Sequence, residues 1–214
     1  MRAHDVVGPV EYWFTDASDG DLTDPDMLAE LRSTLGIGAI ATMRQVHGAD
    51  VAWAMPGLTP EADALLTYTP DLAVLVRVAD CVPVVLATSD RDAVGVVHAG
   101  RKGLLAGVVA KAATVLRERG KGEVSAWIGP RICGQCYELD AATAREIGDA
   151  VPSAASLTRW GTPGADIAAG VSAQLNELDV QVHEIGGCTL EDDRFFSHRR
   201  DATSRRQGAL VVLR

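Results

Sequence analysis

Two imidazoles and one thiol stand at the borders of apolar runs in the first half of the chain: His47 in RQVHGADV, Cys81 in LVRVADCVPVVLA and His98 in AVGVVHAGRKG. Cys81 opens one β-like run and His98 closes the next. A buried Val and Leu strand holds its terminal residue rigidly, so adjacent strand ends can aim a Cys and a His at one point. Two His and one Cys make the three-ligand set of a catalytic zinc whose fourth position stays open. Ligands so widely separated are not a compact motif, and spacing alone leaves a metal-free reading equally open, with one half-buried Cys and two strand-end His. Without metal, Cys81 and His98 could serve as nucleophile and base of a cysteine hydrolase or amidase.

Cations stand near these residues. Arg44 precedes His47, Arg101 and Lys102 follow His98, and FFSHRRDATSRRQ carries Arg199, Arg200, Arg205 and Arg206. The formal net charge of −9 repels a polyanion at long range, so any anion site must be a local nest of Arg and Lys. The fork of Arg44 suits phosphate oxygens. Aromatics make up only 5% of the residues, too few for a stacking platform, and nucleic acid is not expected as a partner.

Other chemistry-bearing residues read as structural. Asp63 suits a turn or cap more than a substrate contact, Asp80 either caps the turn ahead of Cys81 or orients a metal ligand from behind it, and His183 suits a satisfied or exposed position in a strand. The lone CxxC of Cys133 and Cys136 admits a redox or zinc reading, but no second CxxC completes a four-Cys site.

The elements that must position these groups follow from pattern. Val10 to Phe14, Ile37 to Met43, Val51 to Ala54, Leu72 to Val78, Val82 to Ala87, Ser125 to Ile128, Val180 to Ile185 and Ala209 to Leu213 read as strands, with the Leu72 and Val82 runs as a central pair. Thr23 or Asp24 can cap a helix that Pro25 begins and Gly36 stops, and Asp140 caps another that ends at Ala150. Helical spacing also marks Leu104 to Leu116 and Asp166 to Leu178. Several strands follow one another without a helix, so the expectation is one α+β domain over residues 1–214 with mixed sheets covered by helices. A chain of 214 residues, 47% hydrophobic, can bury roughly 70% of its unfolded surface in one core. Four Cys and no basic-then-apolar start suggest a cytoplasmic setting, and no apolar run approaches a membrane span.

Six ordered motifs carry a resemblance: QVHG from Gln45, ADCxP from Ala79, HAG with a basic pair from His98, GPxI from Gly129, CYE from Cys136 and FFSHRRD from Phe195. Together they resemble the laccase-domain, or polyphenol-oxidase-like, family, whose members are also described as purine nucleoside phosphorylases with adenosine deaminase activity. The resemblance implies a layered α-β-β-α sandwich and a zinc bound by His47, Cys81 and His98, which would also be the catalytic group. It implies nucleoside and phosphate as small-molecule partners, with Arg44, Arg101, Lys102, Arg199 and Arg200 as candidate contacts. Copper and polyphenol oxidation fit less well, because five His are fewer imidazoles than a multicopper cluster ordinarily uses. Departures from the family pattern at the first strand's loop, at Arg101-Lys102 and at Arg205 keep a degenerate nucleoside-binding protein as the nonenzyme alternative.

Overall fold

Alternation along the apolar strands sorts the chain into four layers. The computed structural model describes residues 3–90, 92–120 and 122–214. Its elements run β1 (Ala3–Val7), β2 (Val10–Phe14), α1 (Pro25–Leu35), β3 (Ala39–Ala41), β4 (Val51–Trp53), β5 (Ala64–Thr67), β6 (Leu72–Val78), β7 (Val82–Thr88), β8 (Val94–Ala99), α2 (Arg101–Leu105), α3 (Val108–Arg119), β9 (Val124–Ile128), α4 (Ala141–Ala150), β10 (Ala155–Leu157), β11 (Pro163–Ala165), α5 (Ile167–Asn176), β12 (Gln181–Glu184), α6 (His198–Asp201) and β13 (Gln207–Leu213).

A five-stranded sheet has the order β1-β2-β13-β6-β3, and a six-stranded sheet the order β12-β9-β7-β8-β5-β4. Both are mixed: β3 pairs β6 in parallel while β13 pairs β6 antiparallel, and β12 pairs β9 in parallel while β7 pairs β9 antiparallel. On β6, Leu72, Val74, Val76 and Val78 face the other sheet, whereas Ala73 and Leu75 pack with Leu31 of α1. On β7, Val85 and Ala87 face the inter-sheet core, whereas Val82, Val84 and Leu86 pack with Leu104, Val109, Leu116, Ile147 and Leu175 of the helices. The result is the α-β-β-α sandwich with mixed sheets, since every apolar face finds a partner layer.

Two expectations need correction. The Leu72 and Val82 runs do not pair. β6 belongs to one sheet and β7 to the other, and only Ala79-Asp80-Cys81 joins them. Both runs are buried on two faces, so periodicity alone gave each run's strand character but not its neighbour. The single helix expected after His98 is two, α2 and α3, because Gly107 turns left-handed with φ 73°. Of the two cap candidates before Pro25 it is Asp24 that caps, accepting from the Asp26 N–H; Asp140 caps α4 through the Thr143 N–H as expected, Asp166 caps α5 through the Ala169 N–H, and Gly36 ends α1 at φ 61°.

The sheet crossing at residues 79–81 puts the ends of β6, β7 and β8 at one mouth of the inter-sheet layer. β13 secures that edge, and Gly208 opposes Arg77 across the ladder. A Cβ on Gly208 would collide with the Val76 carbonyl oxygen, a backbone atom with little room to yield. Gly208→Ala is expected to destabilise the protein by about 1–3 kcal/mol, as overpacking of a close-packed interior does, measured by denaturant unfolding against wild type. An unchanged midpoint would mean that β13 can shift freely.

Candidate functional site

His47, Cys81 and His98 converge. One ligand atom from each lies within 4.8 Å of the others, and the two imidazole rings stand 4.7 Å apart, edge to face. The strands explain the convergence. His98 is next to last in β8, where Val94 and Val96 ahead of it face the inter-sheet core, so period two turns His98 the same way. Cys81 packs against that core from the link before β7. Gly100 leaves room for both partners, since a Cβ there would stand 3.0 Å from His47 Cδ2 and 3.2 Å from Cys81 Sγ.

Asp63 organises the group and does not itself join it. Its carboxylate is fully buried and accepts from the backbone N–H of Val46 at 3.2 Å, His47 at 3.0 Å and Gly48 at 2.6 Å. His98 Nδ1 lies 2.7 Å from the same carboxylate. The three N–H bonds hold His47 at φ 60°, a conformation that non-Gly residues rarely adopt. The bond to Nδ1 turns Nε2 of His98 toward Cys81, which is how a carboxylate orients a metal-ligating histidine. The expectation that Asp63 is only a turn or cap residue is therefore too small a role. A lone Asp before a strand gives no sequence signal of a partner 35 residues away.

The electrostatics follow from these contacts. Burial pushes the Cys81 thiol up, but hydrogen bonds from His47 and His98 and the charge on His98 outweigh it and hold the group at about 6. Burial pulls His98 down, yet its bonds to Asp63 and Cys81 raise it to about 9. Burial also works against the Asp63 carboxylate, and the donors from His98, Gly48 and Val46 leave it below its ordinary value. Without metal the neutral-pH state is thus a thiolate beside an imidazolium. With metal, the same two imidazoles and thiolate are a fitting zinc donor set, and the His98 proton must leave.

The group lies on the wall of a cavity of about 730 Å³. Arg44, Arg101, Lys102 and Arg199 reach that wall, as the sequence suggests, and Arg77, Tyr137, His198 and Arg206 join them. Arg44 is mostly exposed and already pairs with Glu61. Arg199 donates to the Glu138 carbonyl at 2.9 Å and stacks over Tyr137. Arg200 does not line the cavity. Its guanidinium donates to the carbonyls of Thr189 and Phe195 and to Asp201, so it braces the C-terminal segment. Asp80, at φ 88°, accepts from Thr189 Oγ1 and from the Arg199 N–H, both at 2.7 Å, and clamps that segment to the sheet crossing.

Arg77 is the cation that pattern reading missed. Its Nε is buried with no hydrogen-bond partner among the described residues, while Gln45 bonds both its backbone groups, at 2.9 and 2.8 Å. A single charge inside the apolar strand LAVLVRV was the available signal. His183 stacks on Trp127 and joins no metal-capable group among the described residues.

Residues 25–214 match the family model described as multi-copper polyphenol oxidoreductase laccase. A Streptomyces griseus protein named purine nucleoside phosphorylase is 42% identical over 182 residues, covering 81% of this chain and 74% of that protein. A Mycobacterium tuberculosis protein of the same name is 40% identical over 191 residues, covering 86% and 76%. The crystal structure of a Neisseria meningitidis protein superposes with a TM-score of 0.84 at 24% identity, covering 99% of this chain and 98% of that one. A Bacillus licheniformis protein, described as hypothetical, gives 0.83 at 21%, covering 99% of each chain. These two share the fold.

Two outcomes are expected from this geometry. Asp63→Asn, which keeps the size but loses the charge, should weaken zinc binding at His47, Cys81 and His98 by about 10–100-fold in a competition titration. Equal affinity would mean that the Asp63 bonds do not orient the ligands. In metal-stripped protein, alkylation of Cys81 by iodoacetamide should rise with pH through a midpoint near 6, because the thiolate reacts. Cys136, pushed up to about 12 chiefly by burial, should stay unmodified through neutral pH in the same peptide map.

Proposed function

This chain belongs to the multi-copper polyphenol oxidoreductase laccase family, and on that premise we propose that it is a zinc-dependent purine nucleoside phosphorylase with adenosine deaminase side activity. The observation that carries the reading is the joining of a two-His, one-Cys group to a cationic cavity in a protein of net negative charge. The cavity's size falls in the range of small-molecule sites, roughly 300–1,000 Å³. Relatives named purine nucleoside phosphorylase supply the substrate class, a purine nucleoside and phosphate.

Zinc, when bound, supplies a Lewis-acidic centre with one open position. The rest falls to the chain's own residues. His47, Cys81 and His98 would hold the ion, and Asp63, bonded to His98 Nδ1, would leave Nε2 free to ligate. Arg77 brings a guanidinium to the cavity wall as a candidate phosphate contact, and Arg101 and Lys102 add charge from the start of α2. In phosphorolysis a phosphate oxygen bonds to the anomeric carbon of ribose as the glycosidic bond breaks, and its electron pair leaves with the purine, which takes up a proton. Holding phosphate and nucleoside together in that line is the main catalytic task. Burial holds the Tyr137 hydroxyl protonated above its ordinary range, so it faces substrate as a hydrogen-bond donor. Deamination would use the same cavity with water in place of phosphate.

Copper-dependent oxidation is less well supported: among the described residues a single metal-capable group contains histidine, and it contains only two. A cysteine-hydrolase reading has one specific observation in its favour, because Asp63, His98 and Cys81 stand in the order of an acid–base–nucleophile relay. Metal decides between them. A phosphorylase loses activity on chelation, whereas a cysteine hydrolase keeps it and loses it to alkylation.

The test is phosphate-dependent release of hypoxanthine from inosine and adenine from adenosine by zinc-loaded protein. Cys81→Ser should abolish it. Arg77→Ala should lower kcat/KM for phosphate by about 10–100-fold, the value of one charge-assisted hydrogen bond, while deamination of adenosine falls much less. Arg44→Ala, already paired outside the cavity, should change it by less than about 3-fold. No base release from any purine nucleoside would end the reading and leave a binding protein.

A further inference from the structure

Cys133, Cys136, Cys188 and Glu191 form a second group whose sulfur and carboxylate atoms all lie within 4.8 Å of one another, sharing no residue with the first. Cys136 is buried, Cys133 and Cys188 are half-buried, and Glu191 is exposed at the edge. The backbone presents these sulfurs deliberately. The N–H groups of Cys136 and Tyr137 both donate to the Cys133 carbonyl, at 2.9 and 3.0 Å, winding the CxxC into a turn. The Cys133 N–H donates to Cys188 Sγ at 3.4 Å, and the N–H groups of Leu190 and Glu191 also bond to Cys188. A short parallel zipper, from Arg131 N–H to the Gly187 carbonyl at 3.1 Å and from Thr189 N–H to the Arg131 carbonyl at 3.0 Å, fixes the two segments side by side.

Arg159 lies over the group. Its guanidinium donates to Cys136 Sγ at 3.1 Å and pairs with Glu191. A cation there would offset the excess negative charge of three thiolates and a carboxylate around a divalent ion. Three thiols are an odd number, so one disulfide would strand a sulfur, whereas a tetrahedral ion uses all three. Zinc–sulfur bonds of about 2.3 Å set neighbouring sulfurs about 3.8 Å apart, which the present spacing reaches with a small closure.

We propose that Cys133, Cys136, Cys188 and Glu191 are a second, structural zinc site with closed coordination. Binding releases the thiol protons to solvent. Its position gives it a task in the cavity wall. Cys136 directly precedes Tyr137, and Cys188 directly precedes Thr189, whose hydroxyl bonds Asp80, which in turn holds the Arg199 N–H. The ion would tie the loop after β9 to the loop after β12, one residue from Tyr137 on the wall and one residue from Thr189, which holds the wall residue Asp80.

Zinc per chain by elemental analysis of the full protein tests this. Wild type should hold two ions, Cys81→Ser, Cys133→Ser and Cys188→Ser one each, and Cys81→Ser/Cys133→Ser none. Wild type with a single ion that Cys81→Ser removes would overturn the proposal, as would a disulfide mapped between two of the three sulfurs in freshly purified protein. A single ion that Cys133→Ser removes and Cys81→Ser spares would instead keep this site and remove the metal from His47, Cys81 and His98. Where Cys133→Ser does not fold, cobalt-loaded Cys81→Ser decides, because it keeps only these three thiols. It should show sulfur-to-cobalt charge-transfer bands, and their absence would overturn the site.

Discussion

A buried carboxylate is tolerable only when donors surround it, and Asp63 meets that condition with three backbone N–H groups and an imidazole. The constraint works in both directions. The charge needs those donors, and the donors take a geometry they would not otherwise hold, with His47 at φ 60° and His98 committed to one ring orientation. The backbone reinforces it, since the His98 N–H donates to the Asp63 carbonyl at 2.7 Å and the Asp63 N–H to the Asp50 carbonyl at 3.0 Å. Three loop residues and a strand end are thereby locked by one side chain before any ligand arrives, which is the preorganisation that a precise site requires.

Asp80 does for the opposite wall what Asp63 does for this one. It sits where the chain crosses from one sheet to the other, and its two oxygens reach Thr189 and the start of α6. The C-terminal basic segment is thus held to the link that carries Cys81. An acidic protein with a basic cavity must spend its arginines selectively. Arg200 and Arg194 are used on nearby carbonyls and carboxylates, while Arg77 is fed into the cavity from a central strand with its Nε unpaired. A guanidinium keeps its charge even when burial works against it, so Arg77 can wait there for an anion where a lysine could neutralise.

The elements were legible because strand and helix periods leave different marks and Asp caps fall where helices begin. The layering was implied only by the family resemblance: Val74, Val76 and Val78 face one layer and Ala73 and Leu75 the other, yet all five are apolar. The three converging ligands were legible mainly as strand-end residues within recognised motifs. What stayed hidden was partnership across distance. Nothing local shows that Asp63 meets His98, that β6 and β7 part into different sheets, or that Cys188 completes the CxxC of Cys133 and Cys136. Arg200 looked equivalent to Arg199 because adjacent residues share composition, yet a single turn of α6 sends one to the cavity and the other to carbonyls.

The two sulfur groups differ in a way that follows from their surroundings. Cys81 has two imidazoles facing it and a cavity beside it, so its charge is stabilised and a fourth position can be reached from solvent. The thiols of Cys133, Cys136 and Cys188 face one another, and burial together with their mutual repulsion pushes Cys136 and Cys188 up. With no ion bound, Cys136 and Cys188 resist ionising and are poor nucleophiles and poor proton relays. Their geometry suits a task of holding, while that of His47, Cys81 and His98 suits reaction, because only there do opposite charges and access to a cavity coincide.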